Sequence, residues 1–212
     1  MTASGTRLMR TGAVVLVMAT AMFTCATAFA QKTIKMVSGA MEPTIHMQQE
    51  VRVNLLAYMF GTPARGDVVV SLIPSGTEFR MYRVVAVPGE TISYDAHRQL
   101  SINNVRVSSV ATGASPPPTW PNSKTYEEQL PGSSHLILLE PEQGVASTFP
   151  VLAKSGACVI GAGGFTCKVP TGQYFLMGDN REHAMDSRFL GFIPIENVSG
   201  RVSSGEGGSG TD

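Results

Sequence analysis

The stretches Asp67-Val68-Val69-Val70-Ser71-Leu72-Ile73 and Arg80-Met81-Tyr82-Arg83-Val84-Val85-Ala86-Val87 decide the fold class. Both are short, dense in β-branched side chains and bounded by turn formers such as Gly66-Asp67 and Pro88-Gly89, which is how strands rather than helices read. Similar runs cover Glu50 to Leu55, Thr91 to Tyr94, Gln99 to Ile102, His135 to Leu139 and Gln173 to Met177. Gly-Asp, Pro-Gly, Asn-Asn and Gly-Gly pairs separate them at intervals suited to antiparallel sheets. No long stretch of 3.6-residue periodicity follows Ile34. The expectation is a mostly β domain over residues 31–202, its antiparallel core coiled into a closed or nearly closed sheet.

The 212 residues carry 16 basic and 16 acidic side chains, so the formal charge is zero. Without a clustered basic footprint, nucleic acid is not an expected partner. Charged residues are 15% of the chain and apolar ones 43%, which excludes a disordered polar chain. Residues 203–212 are mainly Gly and Ser with two acids, and a disordered tail is expected there.

Ahead of the β region, Arg7 and Arg10 precede a run without charge from Thr11 to Ala30. Its length suits a helix crossing a hydrocarbon layer of about 30 Å. Basic residues before the run place residues 1–10 in the cytoplasm and the rest outside. A second reading is a cleaved secretory signal, because Ala28-Phe29-Ala30 supplies small residues ahead of Gln31. The anchor is the preferred reading: a single pass through the inner, cytoplasmic membrane with the bulk of the chain in the periplasm or extracytoplasmic space. Export holds under both.

Three cysteines are present. Cys25 lies in the apolar run, while Cys158 and Cys167 flank the Gly-rich Gly161-Ala162-Gly163-Gly164. An oxidising compartment and an intervening turn favour a local disulfide between them. Two cysteines without a second ligand pair do not make a tetrahedral zinc set, so no metal or other cofactor is expected. Val110 to Glu128 differs in texture, with Pro116-Pro117-Pro118 and Trp120-Pro121, and is read as an extended excursion from the core or part of a smaller subdomain. Trp120 is assigned to packing of that loop rather than to a binding surface.

Four segments then occur in order: Ser38-Gly39-Ala40-Met41-Glu42-Pro43-Thr44-Ile45, Arg65-Gly66-Asp67-Val68-Val69-Val70, Tyr82-Arg83-Val84-Val85-Ala86-Val87-Pro88-Gly89-Glu90, and Gly178-Asp179-Asn180-Arg181-Glu182-His183-Ala184-Met185-Asp186-Ser187-Arg188-Phe189-Leu190-Gly191-Phe192-Ile193-Pro194. Together they resemble the bacterial type I signal peptidases, membrane-bound serine endopeptidases that use a Ser/Lys pair. The resemblance implies a β core carrying the site and a second β subdomain inserted at about Thr91 to Thr171. It also agrees with a short disulfide in that insertion.

The chemistry departs from the family pattern at three positions. Where the nucleophilic serine belongs, this chain has Ala40; a methyl group has no lone pair and cannot attack a carbonyl. The general-base lysine is replaced by Tyr82, and the small hydroxyl residue that orients that lysine by Ala184. A phenol with a reference pKa of about 10 is a poor substitute for a buried neutral amine. Ser38, two positions before Ala40, is placed on the same face of an extended strand, and the resemblance implies that its position helps hold the oxyanion. Asp186 and Arg188 match positions that support the site, and Asp179 is paired with Arg181 in the same role. His183 lies inside the fourth segment but not at the base's position; His46, His97 and His135 are read as structural.

Met36 and Met41, with Val37, Ile45, Met47 and Phe60, are candidates for a peptide-binding groove of the kind the resemblance implies, taking an extended chain by strand addition. The leading expectation is a signal peptidase I-like membrane protein in secretion or preprotein processing. It lacks catalysis and binds or positions an exported preprotein or pilin-like client. The alternatives are an active serine endopeptidase with a rearranged site, and a structural subunit of a secretion or pilus assembly.

Overall fold

The computed structural model describes residues 31–74, 77–140 and 149–203. In chain order the first strands are β1 (Gln31–Lys35), β2 (Glu50–Asn54), β3 (Val68–Leu72) and β4 (Phe79–Ala86). Then come β5 (Thr91–Tyr94), β6 (Leu100–Ile102), β7 (Val105–Arg106), β8 (Ser108–Ala111), β9 (Lys124–Leu130), β10 (Ser133–Leu139), a short helix α1 (Pro150–Lys154), β11 (Cys158–Gly161) and β12 (Gly164–Lys168). The chain closes with β13 (Gln173–Met177), α2 (Ser187–Leu190), β14 (Ile193–Pro194) and β15 (Val198–Ser203).

The protein is therefore mostly β, in three antiparallel sheets. The largest has the order β1-β2-β15-β3-β4-β13-β14; β4 and β13 are neighbours in it although residues 87 to 172 separate them in sequence. Everything between them builds the other two sheets, β11-β12-β5-β6-β7 and β10-β9-β8. Side chains of β1 and β4 line one groove although β2, β15 and β3 lie between them in the sheet, so the large sheet curls. It keeps two edges, β1 and β14, among the described residues.

Burial explains which runs were readable as strands. In β2 the valines are buried and the charged residues exposed, the alternation of a strand with one wet face. β4 and β13 are buried on both faces. Val84 and Leu176 belong to the core under the large sheet, whereas Val85, Phe175 and Met177 belong to a second core shared with the five-stranded sheet. Continuous apolar runs follow from that double burial.

Val110 to Glu128 is less irregular than its composition suggests. β8 and β9 bracket the Pro-rich loop, so only residues 112–123 are excursion. Strand β9 hid because its buried positions include the polar Thr125 and Glu128, which dilutes the apolar alternation that marks strands. Cys158 and Cys167 are cross-strand partners in β11 and β12 and are disulfide-bonded. The expected anchor at 11–30 and most of the expected tail lie outside the described residues. Among the described residues no helix is long and apolar enough to cross a membrane.

Candidate active site

The segment from Ser38 to Ile45 is not a strand. It folds as successive turns, with Glu42 N–H donating to the Gly39 carbonyl at 3.2 Å and Ile45 N–H to the Met41 carbonyl at 2.9 Å. The strand geometry expected for Ser38 and Ala40 is thereby corrected: Ser38 is exposed, Ala40 is buried, and both line the same groove. Met36 lines that groove as well, but Met41 is completely buried in the core and does not face it. The turn carries the Met41 side chain inward, because its residues no longer alternate between two faces.

The fourth segment returns to hold this turn. Asn180 N–H donates to the Ala40 carbonyl at 3.0 Å, and its side-chain amide donates to the Gly39 carbonyl at 3.1 Å. Gly178 is needed for the approach: a Cβ there would lie 2.3 Å from the Ala184 methyl and 2.6 Å from the Ala40 carbonyl oxygen. Ala184, buried, thus stands close to Ala40 with no hydroxyl between them.

Beneath the turn are charged groups in complementary pairs. Asp186 is fully buried and accepts from Gly178 N–H at 2.9 Å, from Arg188 N–H at 3.1 Å and from the Arg188 guanidinium at 2.9 Å on each oxygen. The carboxylate therefore caps α2 and ties it to β13. Asp179, expected to pair with Arg181, pairs with Arg83 instead, at 2.9 and 2.6 Å, and also accepts from Thr44 at 2.5 Å. Arg181 turns the other way, into a two-pronged pair with Glu128 of β9. Burial alone would push Glu128 upward, but Arg181 and His135 more than offset it and hold the carboxyl at about 2. Asp179 and Arg181 do not pair with each other, unlike Asp186 and Arg188, because β4 delivers Arg83 to the first and β9 delivers Glu128 to the second.

Tyr82 is buried, and its hydroxyl donates to the Met185 carbonyl. Burial pushes its pKa up to about 12, an effect that the neighbouring Arg80 opposes only in part. Near neutral pH this group is a phenol with a committed proton, unable to accept one. The groove it faces, about 470 Å³, runs between the Ile34–Ser38 stretch and the first half of β4, and His183 and Met185 also line it. Among the described residues no cluster of His, Cys, Asp and Glu could hold a metal ion.

The family model for signal peptidase, peptidase S26, matches residues 8–204. The chain belongs to the S26 signal peptidase family. Signal peptidase I of Pseudomonas fluorescens is 31% identical over 188 residues, covering 78% of this chain and 61% of that protein. Signal peptidase I of Aquifex aeolicus is 31% identical over 192 residues, covering 78% and 71% respectively. This S26 family member thus spans about three fifths of the Pseudomonas protein's length. A solved signal peptidase I from Enterococcus faecalis superposes loosely, with a TM-score of 0.36 at 21% identity, covering 66% of this chain and 97% of that one.

Several residues of this S26 chain's site had no signal in the four segments. Trp120, from the Pro-rich loop, stacks on His183 with ring centres 3.8 Å apart and packs so tightly on Gly39 that a Cβ there would lie 2.8 Å from its ring. Thr119 beside it donates to Glu42 at 3.0 Å. His183 is held from another side by Glu140, Nε2 to Oε1 at 2.9 Å. Only the lone Trp beside the prolines hinted that this loop is pinned at its tip.

Proposed function

We propose that this S26 family member acts in signal-peptide processing or secretion as a non-catalytic, membrane-anchored binder of an exported preprotein or pilin-like client. The observation that carries this reading is the presence of Ala40 and Tyr82 in the lining of one groove: the nucleophile position has no side-chain oxygen, and the base position holds a phenol bonded to a carbonyl. Removing the nucleophile alone from a serine protease can cost about a millionfold in turnover. Meanwhile the scaffold pairs Asp186–Arg188 and Arg83–Asp179 are intact, so the groove keeps its shape without its chemistry. The apolar run at 11–30 supports a location at the extracytoplasmic face of the inner membrane.

The test uses the full chain in detergent with a labelled preprotein, measuring cleavage and retention together. Retention without cleavage is expected. Cleavage by the unmodified chain that Ser38→Ala abolishes would refute the reading in favour of a rearranged peptidase. Loss of both signals would leave a purely structural subunit. Ala40→Ser with Tyr82→Lys and Ala184→Ser restores the missing groups, and any gain of cleavage would show that the groove still accepts the scissile chain.

A further inference from the structure

We infer that the turn from Leu55 to Phe60 is a lipid-inserting wedge, a second membrane contact made by the folded domain itself; this rests on the membrane-anchored reading above and deepens it. Leu55, Leu56, Met59 and Phe60 are 43, 42, 57 and 97% exposed, and no charged residue occurs from Leu55 to Ala64. A single exposed apolar side chain is ordinary, but four within one six-residue turn mark a contact surface. Phe60 does not line the groove, so the peptide role expected for it from sequence does not account for its exposure.

The turn is held in this arrangement. Leu56 N–H donates to the Asn54 side chain at 2.9 Å, and Met59 N–H to the Leu56 carbonyl at 3.1 Å. Tyr58 between them is half-buried against the core under the large sheet, and its hydroxyl donates to Asp67 at 2.9 Å. One tethered ring thus fixes the apolar side chains that flank it.

Position identifies what covers them. Gln31 pairs with Asn54, Asn54 with Arg201, Arg201 with Val69, and Leu72 with Phe79. The start of β1, the Leu55–Phe60 turn and the start of β4 therefore lie at one end of the large sheet, where Phe79 is exposed as well. The uncharged run at 11–30 joins β1 at that end, because Ala30 immediately precedes Gln31. The inserted sheets leave β4 from its opposite end, after Ala86. A bilayer holding residues 11–30 therefore faces the turn. Strand charges nearby suit anionic headgroups: Lys32 and Arg52 are exposed within two positions of the Gln31–Asn54 pair, whereas Glu50, the one acid of β1 and β2, sits at their far end. Apolar side chains beside a basic rim are what binds a membrane interface.

The experiment reads depth. The full chain is reconstituted in vesicles of neutral and anionic phospholipids brominated at defined acyl positions. Tryptophan emission of Phe60→Trp is compared with that of the unmodified chain, whose single tryptophan, Trp120, gives the background. Val159→Trp, at a 75% exposed position of the inserted five-stranded sheet, is the control. Emission of Phe60→Trp should shift to the blue and be quenched above background, most strongly by the shallow bromines, as for a side chain about 5–10 Å into the interface. Val159→Trp should stay at background. A blue shift in Phe60→Trp without bromine quenching would put a second copy or another protein on the turn and overturn the inference, as would emission matching Val159→Trp. If the chain floats with the vesicles in those cases, the anchored reading stands; a chain that does not float sinks that reading as well.

Discussion

Replacing Gly178 by alanine tests how the fourth segment meets the first. The new methyl would sit 2.3 Å from the Ala184 Cβ and 2.6 Å from the Ala40 carbonyl oxygen. Neither neighbour can yield cheaply: the Ala40 carbonyl is bonded to Asn180 N–H at 3.0 Å, and Gly178 itself is tied to Asp186 at 2.9 Å. Overpacking of this kind costs about 1–3 kcal/mol, and displacing the Ala40 carbonyl from Asn180 adds about 1 kcal/mol. The expected loss is about 2–4 kcal/mol, or roughly 4–16 °C in Tm for a chain of this size. Urea and thermal unfolding followed by circular dichroism would measure it. Adding Ala184→Gly, with that single variant as the control completing the cycle, removes the methyl–methyl contact but not the one with the carbonyl, so recovery should be partial. Stability of Gly178→Ala within about 0.5 kcal/mol of the unmodified chain, or full recovery in the double variant, would refute the claim that Ala40 is clamped through its carbonyl.

Tyr82→Phe removes the bond to the Met185 carbonyl together with the hydroxyl that neighbours Arg80, and about 1 kcal/mol of stability should go with the bond, read from the urea midpoint at constant slope. Glu128 should make stability acid-sensitive. Its carboxyl is held at about 2, below its ordinary value of 4.5, so its contribution is present above pH 4.5 and is lost as pH falls toward 2. That loss is roughly 3 kcal/mol, and a urea series in Glu128→Gln should lack this component. Breaking the disulfide with Cys158→Ser and Cys167→Ser, nine positions apart, should lower stability by about 2–3 kcal/mol; an unchanged unfolding midpoint would argue against the bond's contribution.

The strands that sequence alone revealed are those whose burial is simple. The run Arg80 to Val87 coincides with β4 to within a residue at each end, because both of its faces are packed. β1, β7, β8, β9, β11, β12, β14 and β15 are not among the runs that read as strands; β9 carries Glu128 at a buried position, and Gly200 and polar residues interrupt the pattern of β15. At the site, the two-residue spacing of Asp179 and Arg181 suggested a pair, yet each finds its partner on a distant strand. Met41 looked available for peptide contact only while its segment was taken as extended.

What residue identity settled without coordinates is which functional groups the side chains at positions 40 and 82 carry: the Ala40 side chain has no hydroxyl and the Tyr82 side chain no amine in any fold. Tertiary structure decided which charges neutralise each other, that Met41 is core, that Arg80 stands beside Tyr82, and that Trp120 lies against Gly39 and His183. The reason is physical: functional groups belong to single residues, whereas pairing depends on where loops of tens of residues close, and their closure entropy changes too slowly with length to dictate partners.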